Sequence, residues 1–238
     1  MNTKGKTSIK KSKMKVTTPT LIRWAGLSAM VAGIIFTAIQ PTHPPVNTST
    51  FIIITSFKTS ISIFALLGIT GLYARQVEET GWLGLAGYLL LTIYYAVQMC
   101  ISFIQPTVLP LLTAVAPTFV ESVLQLSNGA GSPTNLGSLT TIYSLASILY
   151  VLGSLLFGMA TFRARILPRG AAALLAVSGP LAGTMFALLP YQLVQLTSIP
   201  IGAAMVWLGY ALFFERRGEP FESLRDQEII SQEPGKAA

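Results

Sequence analysis

Six apolar stretches recur along the chain, at residues 21–40, 51–73, 82–104, 139–162, 170–189 and 198–214, each bounded by charged, Pro-rich or Gly-rich segments. A helix rises about 1.5 Å per residue, so residues 21–40 reach about 30 Å, the thickness of the hydrocarbon core of a bilayer. The pattern predicts an all-α fold, an integral membrane bundle of six transmembrane helices. Between the third and fourth spans it changes. Residues 105–116 are interrupted by Pro106 and Pro110. From Pro117 onward, Phe119, Val120, Val123 and Leu124 fall on one helical face, with Thr118, Glu121, Ser122 and Gln125 on the other. This predicts a short amphipathic outer helix, in the membrane interface or laid over the bundle as a lid; a re-entrant dip by residues 105–116 is the alternative.

Composition supports the same class. Hydrophobic residues make up 52% of the 238 and charged residues only 11%, whereas soluble domains carry about 25% charged residues. The formal charge of +7 raises the question of nucleic acid, yet the basic residues flank apolar spans instead of forming a patch interleaved with aromatics, and no nucleic-acid partner is expected. Residues 1–20 hold Lys4, Lys6, Lys10, Lys11, Lys13 and Lys15 among Ser, Thr and Gly, and read as a disordered basic arm attracted to anionic lipid. Residues 21–217 form the six-span domain and residues 218–238 a polar tail. The first span exceeds the usual apolar core of a signal peptide and lacks a clear cleavage site, which favours an uncleaved anchor. Counting then gives orientation: of the 16 Lys and Arg residues, all but Lys58 lie on one side of a six-span threading. By the positive-inside rule both termini are cytoplasmic.

Lys58 is the only charged residue inside a span. Thr55, Thr59 and Ser62 recur around it at helical spacing, so one polar stripe runs along an Ile, Phe and Leu surface and must face protein or water. In the predicted threading Tyr94, Tyr95 and Gln98 of the third span, and Thr140, Thr141, Ser144 and Ser147 of the fourth, reach the same outer half. The functional expectation is a ligand-binding outer cavity formed by Lys58, Thr55, Thr59, Ser62, Tyr94, Gln98 and Ser144, with Glu121 brought over by the lid helix. The alternative is that Lys58 snorkels to the outer headgroups or bonds its neighbours for packing alone.

Other candidates carry less. Gly179 and Gly183 form a GxxxG pair that allows close helix packing, and Pro180 between them removes a backbone donor and kinks the fifth span. His43, in the Pro-rich loop after the first span, has no second His, Asp or Cys on its side to complete a metal site, and none is expected. Cys100 is the single cysteine, which rules out an intrachain disulfide. The spans hold no Asp, Glu or His, so paired carboxylates and Ser/His catalysis are excluded there, and neither enzyme activity nor a cofactor is expected. A glycine seven residues before an arginine recurs at Gly68, Gly158 and Gly209. Three duplicated hairpins explain this echo, and so does the common demand of inner helix ends for Arg and small residues.

The motifs RWAGLSA, THPP, GITGLYARQ, GWLGLAG and WLGYAL, spread over most of residues 21–217, resemble those of a group of small multi-pass bacterial membrane proteins of unknown function. The resemblance implies a bacterial inner-membrane setting and no activity; the Lys-rich arm is an addition to it. Two roles follow as expectations: a non-enzymatic protein that packs with itself or a membrane partner, and a small-molecule or lipid transporter or sensor built around Lys58.

Overall fold

A computed structural model of the chain describes residues 18–40, 42, 44–127, 134–188 and 198–214. The basic arm before Thr18, His43 and the tail lie outside the described residues. Seven helices follow in order: α1 (Thr18–Ile39), α2 (Ser49–Thr107), α3 (Leu109–Leu112), α4 (Pro117–Ser127), α5 (Ser138–Ala164), α6 (Arg169–Leu188) and α7 (Ser198–Phe214), with no strand among the described residues. Three of them, α1, α2 and α5, are long and apolar enough to cross a membrane.

Helix α2 is not a straight rod. Gln76 leaves helical geometry at φ −127°, ψ 17°, and Gly81 does so at φ 56°, ψ −152°, a conformation that disfavours any side chain. Yet the Tyr73 and Tyr88 rings stack with centroids 4.5 Å apart, where an unbroken helix separates these residues by about 22 Å. The chain therefore doubles back between Gln76 and Gly81, and α2 is two antiparallel arms. The sequence GITGLYARQVEETGW carries that turn as a charged interruption closed by a glycine.

The rods close into a ring. The first arm of α2 packs on α1 through Gly68 and Gly71, the second arm on α5, α5 on α6, α6 on α7, and α7 back on α1. Small residues set the spacing: a Cβ on Gly26 would lie 2.9 Å from the Gly209 carbonyl oxygen, and one on Gly33 would lie 2.5 Å from that of Gly202. Such contacts let backbones touch where no hydrophobic drive separates helix from lipid, leaving dispersion to hold the interface. Ile69, Leu72, Leu91, Phe157, Leu208 and Leu212 fill the middle and are essentially inaccessible to solvent. Large apolar side chains such as Ile53, Phe57, Leu145 and Trp207 point outward and are exposed. Such an apolar outer surface is what a lipid-solvated bundle requires.

The junction after α2 differs from the expected break at residue 105. The helix runs through Pro106 to Thr107, because only one donor is lost there and the Val108 N–H donates to Ile104 O at 2.9 Å, which carries the ladder onward. Pro110 then sits in the first turn of α3, where a missing N–H leaves no helical bond unmade. Helix α4 opens at Pro117, as the pattern predicts. Its Val120 and Val123 pack with Leu109 in a small cluster that also touches Val46, Leu136 and Leu139. Phe119, assigned to the same face, is 41% exposed, while Ser122 is buried and accepts from the Thr134 hydroxyl at 2.5 Å.

Helix α2 starts with a side-chain cap: the Phe51 N–H donates to the Thr48 Oγ1 at 3.2 Å. Thr48→Ala is expected to lower stability by about 1 kcal/mol and Thr48→Asn to preserve it, read from thermal unfolding in detergent.

Candidate functional site

The first arm of α2 turns its polar stripe inward. Thr55 and Ser62 are each 2% exposed, and Lys58 and Thr59 are half-buried between them, while Ile52, Ile53, Phe57 and Ile63 face outward. Back-bonding satisfies part of the stripe, since Thr55 Oγ1 donates to Phe51 O at 2.6 Å and Ser62 Oγ to Lys58 O at 3.4 Å. Thr59 Oγ1 is buried without a partner. Among the described residues no hydrogen bond or ion pair engages the Lys58 ammonium.

The second arm and α5 form another wall, packed on each other. Leu91 packs on Gly153 and the Tyr94 ring lies 4.8 Å from that of Tyr150, so each step up the arm meets a step down α5. Tyr95 joins Tyr94 at 5.0 Å. Further out, Gln98 Nε2 donates to Ser102 Oγ at 3.2 Å, and the Gln105 side chain hydrogen-bonds the Tyr143 hydroxyl. Two hydroxyls in this wall, those of Thr92 and Tyr150, are buried without a protein partner. Measured along the helices from the Gln76–Gly81 turn and from Arg165, Lys58, Gln98 and Tyr150 lie at about 27, 25 and 22 Å, a shared level.

The expected residues do not all reach this wall. Ser144 and Ser147 are exposed, donating to Thr140 O and Tyr143 O on their own helix at 3.0 Å each. The inward face of α5 is instead Tyr143, Ala146, Tyr150, Gly153 and Phe157, at alternating steps of three and four. That spacing was the signal available for Tyr150 and Tyr143, hidden beside the denser Ser and Thr run. Glu121 is exposed on α4 and accepts from Gln125 Nε2 at 3.2 Å. Gly179 is tightly opposed to Ser154 of α5, whereas a Cβ on Gly183 would meet only Val151 Cγ2, at 3.1 Å. Pro180 lies inside α6, which stays helical across it.

The opposite end of the bundle is sealed. Gln76, fully buried at the α2 turn, donates through Nε2 to Thr161 Oγ1 of α5 at 2.7 Å, and Thr80 Oγ1 closes the turn onto Gln76 O at 2.9 Å. Its Oε1 has no partner. Thr161→Val strands the amide donor as well and is expected to cost about 1–3 kcal/mol, with less lost in the Gln76→Leu/Thr161→Val pair than the single changes sum to. A double-mutant cycle on thermal unfolding reads this coupling.

Chemically, the outer half of the two α2 arms and α5 carries one ammonium, several hydroxyls and the amides of Gln98 and Gln105. Among the described residues no three His, Cys, Asp or Glu side chains gather as a metal site. No protein-family model matches the chain, and no curated protein or solved structure is similar to it.

Proposed function

We propose that the chain is a non-enzymatic, multi-pass membrane protein that handles a small polar ligand or lipid in an outward-facing compartment around Lys58. The six-span threading belongs to this reading: the two arms of α2 count as separate spans beside α1, α5, α6 and α7. Arg75, Arg163, Arg165 and Arg169 gather at the end carrying the α2 turn, which favours that end as cytoplasmic in a bacterial inner membrane. The observation that carries the functional reading is the inward-facing stripe with an ammonium that has no partner among the described residues. A charge at membrane depth costs several kcal/mol unless paired, hydrated or ligand-bound. Water or a polar ligand in the compartment supplies what the protein does not.

The competing role, packing against another membrane protein, draws on a different feature. An apolar groove of about 610 Å³ runs between α1 and α7, lined by Ile34, Ala38, Val206 and Trp207, and none of the polar residues around Lys58 lines it.

Thiol labelling separates the two. In intact cells, in a Cys100→Ala background, Lys58→Cys is expected to react with a membrane-impermeant reagent as Thr42→Cys does, while Arg165→Cys stays unreactive. Reaction at position 42 alone would leave the stripe as dry helix packing and remove the compartment.

A further inference from the structure

We infer that the groove between α1 and α7 binds an anionic phospholipid, with an acyl chain in the groove and the phosphate on Arg23; this goes beyond the Lys58 reading and does not depend on it. Differences in residue size build the groove. Gly202 is buried where its backbone meets that of Gly33, Ala38 and Ala203 add little bulk, and Ile34, Trp207 and Tyr210 stand at about half exposure. The result is about 610 Å³ of apolar space. From Ile199 to Tyr210 it follows α7 for about 16 Å, close to one leaflet of a hydrocarbon core about 30 Å thick. A hydrocarbon chain gains dispersion contacts in such a channel that a flat helix face does not give it.

One end of the groove leads to a cation. The Tyr210 ring lies 4.5 Å from that of Phe214, the Phe214 ring 5.0 Å from that of Phe213, and the Arg23 guanidinium 5.1 Å from the Phe213 ring. The apolar lining therefore continues ring by ring from the groove to an exposed arginine. Stacking on Phe213 holds the guanidinium by its face and leaves its N–H edge, the fork that matches two phosphate oxygens. Among the described residues no acidic or hydrogen-bonding partner takes that edge. Trp24, the next residue, is 62% exposed, as an amphipathic ring at a membrane interface is.

Charge selects the occupant. No carboxylate of the described residues pairs with Arg23, and the sequence past Phe214 continues as Glu215, Arg216 and Arg217, a net positive run. A zwitterionic headgroup brings an ammonium into that field, whereas an anionic one brings only the phosphate charge. At the opposite end of the groove Gln40, Thr42 and Ser198 carry no charge, so the headgroup belongs at Arg23. A second copy of the chain would cover the apolar lining and leave the guanidinium without a counter-charge. A phospholipid supplies the tail and the phosphate in one molecule.

The test is photo-crosslinking of the full chain, purified in neutral detergent, with phosphatidylglycerol carrying a diazirine in its acyl chain; phosphatidylcholine with the same label is the control. Mass-spectrometric mapping is expected to place adducts on the groove residues of α1 and α7. The yield from phosphatidylglycerol should exceed that from phosphatidylcholine about fivefold, the ratio that about 1 kcal/mol from one basic residue gives. Arg23→Gln should bring the two lipids level, and Arg23→Lys should keep a preference. Ala203→Phe, a change at an exposed position that fills the groove, should remove the groove adducts of both lipids. Replacement of the six arm lysines by Gln should change nothing. Each variant is compared as a monodisperse species on size exclusion. Adducts spread evenly over all exposed helices, a preference that survives Arg23→Gln, or one lost with the arm lysines overturns the inference. A disulfide-linked dimer through Ala203→Cys in native membranes, in a Cys100→Ala background, puts a second copy in the groove and overturns it as well. None of these outcomes bears on the labelling of position 58.

Discussion

Gly158→Ala is expected to destabilise the bundle by about 1–3 kcal/mol, and Gly158→Leu to abolish the folded, monodisperse species in detergent. A Cβ at position 158 runs into the backbone of α6, 2.6 Å from Ala176 Cα and 2.7 Å from its Cβ, with the Ala176 nitrogen closer still. Backbone cannot step aside as a side chain does, so α5 and α6 must separate along their length. Gly87 on the second arm of α2 faces the Phe157 and Leu156 backbone in the same way. Gly183→Ala is the matched comparison. Its added methyl meets only the tip of Val151, which can rotate, and replacing a helical glycine by alanine gains about 1 kcal/mol of propensity. Fluorescence-detected size exclusion after heating reads both. Equal loss at positions 158 and 183 would mean that the α5–α6 contact is not set by backbone approach.

The contrast between those glycines also shows what the sequence makes legible. Helix positions follow from apolar run length alone, so the bounds of α5, α6 and α7 differ from expectation by at most about two residues, within the usual ambiguity of helix ends. The charged interruption at Glu78 and Glu79 places the α2 turn for the same reason. Which helix faces which is another matter. GxxxG at Gly179 and Gly183 reads as one close-packing motif, yet close backbone approaches also occur outside it, at Gly158 to Ala176 and at Gly26 to Gly209, the latter joining the first and last helices. In α5 the Ser and Thr run looked like the functional face because hydroxyls are the rarer signal in an apolar span. The Ser144 and Ser147 hydroxyls are taken up by their own backbone, and the tyrosines hold the inward face because large rings fill the space between helices. In the first arm of α2 no such competition existed, since Thr55, Lys58, Thr59 and Ser62 are the whole polar content of one face.

Lys58→Met is expected to raise the stability of the lipid-depleted protein by about 2 kcal/mol, measured as the thermal midpoint in a neutral detergent. The sign follows from the surroundings. Thr55 and Ser62 on either side are buried and already bonded to backbone, the hydroxyl of the adjacent Thr59 bonds no group, the Lys58 ammonium included, and no carboxylate of the described residues lies at this level. An ammonium held there gives up hydration and gains no counter-charge, whereas methionine of similar length keeps the packing of the alkyl stem. Thr59→Val should act in the same direction by about 1 kcal/mol, because it removes a buried hydroxyl that bonds nothing. A side chain whose removal stabilises the resting fold is carried for something other than the fold, as strain and uncompensated charge at binding sites commonly are. If Lys58→Met instead lowers the midpoint by more than about 1 kcal/mol, the ammonium is a structural tie to water or neighbouring hydroxyls. The unpaired charge would then be a property of the bundle itself and would no longer point to a ligand.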